Sequence, residues 1–294
     1  MFKIINFVLF AAILAVCNCD DELSRMQRLV NINRYFLYTR ANVHVPIELN
    51  RLSPDNNIQF NNRTTVFLVH GHEGTATTTL NSLVKNELLE LPEEVNVIVV
   101  DWSQYASLSY SNADRHLLTV ASHLVDFLII QGFNNKPETI HLVGFNLGAH
   151  IVGLTGRLGP NIARITALDP SKSSYRLQKT DAMYVEVIHT DGSGILSNGL
   201  GIQLGDLDFF PNGGNSQPGC IASNSCDHNR AWQFFAASLR LNQFPSHCCT
   251  SMTQMKYNNC RGGATIPMGG HGVLPKSGCD SGILRVNTGR SYPY

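Results

Sequence analysis

The pattern of apolar and polar positions divides most of the chain into short strands and amphipathic helices. Tyr35–Arg40 alternates enough for an early strand, and Thr64–Val69 is a continuous β-branched run of the kind buried on both faces of a sheet. A glycine-rich loop, His70–Thr75, follows it. A helix is expected over Thr79–Leu89, stopping before Pro92, and then a second buried strand over Val95–Asp101. Leu117, Val120, Ala121, Leu124 and Leu128 recur at helical spacing, which predicts one helix over Asn112–Gly132 with the glycine at its end. Ile140–Val143 reads as a strand and Ala149–Leu158 as a small-residue helix. Arg164–Asp169 and Tyr184–His189 read as two further strands. From Thr190 to Cys226 the pattern breaks into glycine-dense loops, with a strand at Asp206–Phe210. His228–Leu241 is a last amphipathic helix before a cysteine- and glycine-rich tail. Strands alternating with helices predict an α/β fold, a mostly parallel sheet covered by helices on both faces of a single domain.

At the amino terminus one positive charge precedes an apolar run, Ile4–Val16, which is too short to span a bilayer and ends in small residues. A secretory signal peptide over 1–19 accounts for this better than a membrane anchor, with cleavage after Cys17 or Cys19, and leaves 20–294 as the domain. The cysteines agree with an extracellular, oxidising compartment. Six of the eight lie between Cys220 and Cys279, an even set that implies three disulfides with many pairings open. Paired Cys-x-x-Cys knuckles are absent, which disfavours zinc. Asn62-Arg-Thr64 is a glycosylation sequon. The formal net charge is zero, so neither nucleic acid nor an anionic surface is an expected partner.

The chemistry concentrates in Thr139–His150. A strand ends at Gly144, Gly148 follows, and a helix begins: the strand–turn–helix layout of the Gly-x-Ser-x-Gly nucleophile elbow. The central position, however, is Asn146. A Ser-His-Asp hydrolase also needs an acid and a histidine later in the chain. Asp169, closing a strand in Leu-Asp-Pro, and His228, in the Cys226-Asp-His-Asn loop before the last helix, have that order. Taken singly, such an aspartate is more often a turn former and such a histidine structural.

The chain resembles the animal pancreatic-lipase family, and most of all its short, secreted insect members and phospholipase A1-like branch. The matching stretches run in family order: Leu37–Asn42, Val69–Gly71, Val100–Ser103, Val143–His150, Leu168–Pro170, Val187–Asp191, Asp208–Gly214, Gln217–Cys220 and Cys226–Ala231. The resemblance implies an α/β-hydrolase fold, Asp169 as triad acid and His228 as triad base. It implies the backbone N–H groups of His72 and Leu147 as oxyanion-hole donors. His72 stands where the family carries a bulky aromatic, a change that spares a backbone donor. The short stretch from Cys220 to Cys226 replaces a long lid. Cys220 is expected to pair with Cys226 across it. Of the vicinal Cys248 and Cys249, one is expected to pair with Cys260 and the other with Cys279, since neighbours rarely bridge each other without strain. At the family's calcium loop Arg176 and Asp181 stand where ligands would, but Ser173 and Gln178 replace acidic positions, so no metal or cofactor is expected. The β-sandwich that follows in pancreatic lipase, with its colipase docking surface, is not expected.

Asn146 changes the mechanism. A carboxamide is no nucleophile near neutral pH, and loss of the nucleophile leaves only about 10³–10⁴ of catalysis over water. Asparagine does tolerate the positive φ an elbow demands, and it can hydrogen-bond His228. Deamidation would make it an aspartate nucleophile, but branched Leu147 in a strained turn should make that slow. The expected function is a catalytically impaired, secreted lipase-fold protein that binds lipid or a lipid-like ligand, with transient lipid-surface contact and no transmembrane segment. The alternative is an active carboxylic-ester hydrolase, a phospholipase A1 or neutral triacylglycerol lipase.

Overall fold

The computed structural model describes residues 32–54, 60, 63–260 and 264–294, of which Asn33–Tyr294 belong to one compact unit. The expected signal peptide over 1–19 and Asn62 of the sequon lie outside the described residues. Among the described residues eleven strands form one sheet: β1 Arg34–Tyr38, β2 Ile47–Leu49, β3 Thr65–Val69, β4 Asn96–Asp101, β5 Ile140–Phe145, β6 Arg164–Leu168, β7 Tyr184–Ile188, β8 Leu207–Pro211, β9 Pro245–Cys249, β10 Thr265–Pro267 and β11 Ile283–Val286. Their order across the sheet is β10-β9-β11-β8-β7-β6-β5-β3-β4-β1-β2. From β4 to β11 every neighbouring pair is parallel, and antiparallel strands occur only at the two edges. The helices are α1 Thr79–Leu89, α2 Ser103–Ala106, α3 Tyr110–Arg115, α4 Leu117–Ile130, α5 Leu147–Leu158, α6 Asn224–Arg240 and α7 Met252–Lys256.

Alternation along the strands assigns the layers. Val66 and Leu68 share a core cluster with Leu80, Val84 and Leu88 of α1 and Phe234, Phe235 and Ala237 of α6. Phe67, one position out of phase, turns the other way and meets Phe127 of α4 edge-on at 6.3 Å. With α5 packed on α4, the central strands are buried on both faces.

Four departures from the periodicity have physical causes. The helix expected over Asn112–Gly132 is broken at His116, because the buried Asp114 carboxylate is held by Ser173 and Ser174 and docks α3 separately from α4. Helix α6 starts earlier than expected, at Asn224, where the Ser223 hydroxyl accepts from the Cys226 N–H. His228 therefore lies inside a helix, not in a loop before it. The tail supplies three strands, and β11 inserts between β8 and β9 by pairings far apart in the chain. Edge strand β2, in a stretch where no strand is expected, forms by antiparallel pairing with β1. The disulfides are Cys220–Cys226, Cys248–Cys279 and Cys249–Cys260, so the vicinal pair is split as expected.

Candidate active site

The parallel strands β3, β5, β6 and β7 end level with one another, Val69 beside Gly144, Phe145 beside Leu168, and Leu168 beside Ile188. The residues after those ends are His70–His72, Asn146, Asp169 and His189–Asp191, so register alone gathers them at the carboxyl edge of the sheet, where open α/β sheets bind ligands. The ladder runs on into them, since the Asn146 N–H donates to Leu168 O (3.1 Å) and the Asp169 N–H to Ile188 O (2.8 Å).

The turn at Asn146 has φ 58° and ψ −119°. It is tight enough that a Cβ on Gly144 would lie 2.3 Å from Gly148 O, and one on Gly148 2.4 Å from Val69 O. Glycine at both positions lets α5 start directly against β3 and β5. The carboxamide so presented has partners on both sides. Its Oδ1 accepts from the His72 backbone N–H (3.2 Å), and its Nδ2 lies 2.9 Å from His228 Nε2. His228 Nδ1 in turn lies 2.6 Å from Asp169 Oδ2. With the Nδ1 hydrogen donated to Asp169, Nε2 is the acceptor of the Asn146 Nδ2–H, and each side-chain nitrogen and oxygen of Asn146, His228 and Asp169 has a partner. The three side chains are buried: Asp169 is 0 %, His228 7 % and Asn146 8 % exposed.

The carboxylate is also fixed from behind. Asp169 Oδ1 accepts from the N–H groups of Thr190 (2.9 Å) and Asp191 (3.3 Å), and the Thr190 hydroxyl donates to His228 O. Sequence reasoning assigned no role to Thr190 or Asp191, although Val187–Asp191 was among the matching stretches. The Asp191 carboxylate ties Asn198 and Asn224 together, joining the loop after β7 to the start of α6.

The loop that aims the His72 N–H is braced as well. The Trp102 indole donates to His70 O (2.8 Å), the His70 ring stacks on Trp102, and His70 Nε2 lies 3.3 Å from Asp101 Oδ1. Burial works to raise the Asp101 carboxyl, but hydrogen bonds from His70 and Ser103 outweigh it and hold it at about 2. The His72 ring leans on Tyr110 and reaches Leu108 O, so replacing an aromatic there leaves the backbone donor in place. Leu147, expected as the second donor, is the buried first residue of α5. The structure thus brings Asn146, Asp169, His228 and the His72 N–H together, with Leu147 N at the helix start beside them.

At the loop where the resemblance places a calcium site, the positions are already engaged. Arg157, in the last turn of α5, makes a bidentate pair with Asp181 (2.9 and 3.0 Å) and donates to Arg176 O (2.8 Å). Ser173 bonds Asp114. Among the described residues no group of three or more His, Cys, Asp or Glu side chains could hold a metal ion.

Fold and site together define an α/β-hydrolase whose elbow carries a carboxamide. The chain belongs to the Lipase family, whose model matches residues 16–273. It is 34% identical over 245 residues to pancreatic lipase-related protein 2 of Cavia porcellus, 77% of this chain and 56% of that one. It is 31% identical over 262 residues to inactive pancreatic lipase-related protein 1 of Homo sapiens, again 77% and 56%. To lipase member H-A of Xenopus laevis it is 36% identical over 253 residues, 76% and 52%. The chain thus spans about half the length of the relatives it matches.

Proposed function

We propose that the protein is an extracellular lipase-fold protein that holds lipid or a lipid-like ligand at the elbow and, as translated, does not hydrolyse its ester. The single observation that carries this reading is the position of the Asn146 carboxamide. It replaces the hydroxyl His228 would deprotonate, and its Oδ1 takes the His72 N–H that an ester carbonyl would need. The extracellular part is supported by the three disulfides, which persist in oxidising compartments. Lipid as ligand is supported by family membership and by the apolar rim beside the site. Ile195 and Leu196, 96 % and 81 % exposed, stand on the loop that Asp191 ties to α6, and Ile221, 91 % exposed, stands on the short Cys220–Cys226 loop. Among the described residues no helix is long and apolar enough to cross a membrane.

Asn146→Ser is the test. Serine suits the same turn, so the variant should fold within about 1 kcal/mol of wild type. It should hydrolyse short nitrophenyl esters or phosphatidylcholine at least about 10³-fold faster in kcat than wild type and accept an organophosphonate label. Turnover and labelling by wild type would instead establish the alternative, a working phospholipase A1 or neutral lipase.

A further inference from the structure

The elbow that silences ester chemistry sets up a different reaction on Asn146 itself. An asparagine loses ammonia when the next residue's backbone nitrogen closes on its side-chain Cγ, forming a five-membered succinimide. Closure requires that nitrogen to eclipse Cβ about the Cα–C bond. On an L-residue the N and Cβ substituents of Cα stand a third of a turn apart in projection, so a ψ of −119° at Asn146 brings Leu147 N into that eclipse. In a flexible chain this setting, combined with a φ of 58°, is strained and rarely visited. Here the elbow imposes it, so the strained turn, expected from the sequence to slow deamidation, instead holds the backbone geometry that closure needs.

The groups around the carboxamide match the rest of the reaction. The His72 N–H on Oδ1, at 3.2 Å, is placed to stabilise the charge that develops as Cγ becomes tetrahedral. His228 Nε2, 2.9 Å from Nδ2 and backed by Asp169, accepts from Nδ2–H at rest and, once it has taken a proton from water, is placed to give it to the departing nitrogen. Leu147 N, at the first position of α5, is among the N–H groups of a helix start that have no acceptor within the helix.

We propose that Asn146 is a self-processing site, converted by its own active site to aspartate. In the first step the Leu147 N–Cγ bond forms and the Cγ–Nδ2 bond breaks. The amide proton passes to water, and Nδ2 leaves as ammonia with the proton delivered through His228. In the second step water adds to Cγ and the Cγ–N bond breaks, its electron pair returning to Leu147 N with a proton. One water enters and one ammonia leaves. Because Oδ1 is the oxygen held by His72, water is directed to Cγ and not to the backbone carbonyl, so the product is aspartate in preference to isoaspartate. The result is an aspartate at position 146 facing His228 and, behind it, Asp169. A carboxylate there is still no acylating group for carboxylic esters, so the conversion and the proposed function stand or fall separately.

The test incubates the purified full chain in heavy-oxygen water near neutral pH, folded and in denaturing urea, then measures the mass of the peptide holding residue 146. The folded protein should convert Asn146 to aspartate carrying one heavy oxygen, at least roughly tenfold faster than the denatured chain. Asn198 and Asn212 each precede glycine, whose unhindered nitrogen favours cyclisation in a flexible chain, so they should show the opposite preference. His228→Ala, checked for fold by circular dichroism, should slow conversion by about tenfold or more. Residue 146 remaining asparagine in the folded protein after Asn198 and Asn212 have converted in urea would overturn the proposal. So would equal rates in the two states, a result that needs no variant to fold. Ester turnover by wild type would count against the proposed function and leave these masses unchanged.

Discussion

At the scale of single residues, the site depends on backbone geometry as much as on side-chain identity. Asn146 and Asp169 both have positive φ, 58° and 40°, and asparagine and aspartate are the non-glycine types that visit that region most readily. Asp101 illustrates how a residue that touches no ligand can still hold the site. Its carboxyl stands at about 2 in the folded protein, below its unfolded value, so the stabilisation is fully present above the unfolded value and is lost as pH falls through about 2. Asp101→Asn should therefore cost about 2 kcal/mol at neutral pH and almost nothing near pH 2. Urea melts of both proteins across that range check it: the gap between them should close on acidification, and a gap independent of pH would show that packing, not charge, is responsible.

At the scale of elements, helix α5 links the elbow to the loop that follows β6. Its first residue adjoins Asn146, and its last turn carries the Arg157 guanidinium to Asp181, whose carboxyl burial pushes up, and to Arg176 O. A guanidinium satisfies here the oxygens a hard cation would seek, with planar two-point geometry toward the carboxylate. Two outcomes follow for thermal melts. A chelator should shift the melting temperature by less than about 2 °C, because only an ion bound to the folded state adds to its stability. Arg157→Met should cost about 1–2 kcal/mol, since it leaves the Asp181 carboxylate, 2 % exposed, with only the Gln178 N–H and no countercharge. If the variant melts like wild type, Asp181 is satisfied in some other way.

At the scale of the whole molecule, the loops at the carboxyl edge of the sheet carry both the polar site and an apolar rim. Ile195, Leu196 and Ile221 are almost fully exposed on two loops that the Asp191 carboxylate joins. Burying one such side chain in a lipid surface is worth about 1.5–3 kcal/mol. Replacing all three by serine should weaken binding to phosphatidylcholine vesicles by about a hundredfold or more and leave the unfolding midpoint in urea within about 0.5 kcal/mol of wild type. Vesicle flotation and an equilibrium melt measure the two quantities. Unchanged flotation would place lipid contact elsewhere on the molecule.

Much of this was legible in the chain. The buried strands at the sheet centre announce themselves as β-branched runs, α1 appears at Thr79–Leu89 as its pattern predicts, and Gly144 and Gly148 frame the elbow. Those signals are local, because burial on both faces and close strand–helix contact restrict the residue types at those positions themselves. Asn146, Asp169 and His228 could be named because chain order and motif spacing carry them, and His72 because the resemblance to the lipase family implies it. The tertiary structure decided what local pattern cannot encode. It broke the helix at His116 by burying Asp114 against a loop remote in sequence. It drew β11 out of a glycine-rich tail by pairing it with β8 and β9. It set Arg157 between Asp181 and Arg176 O, and turned the Asn146 carboxamide so that His72 holds its oxygen and His228 its nitrogen. Each of these is a long-range contact, whose free energy depends on which distant segments meet and not on the residues flanking it in the chain.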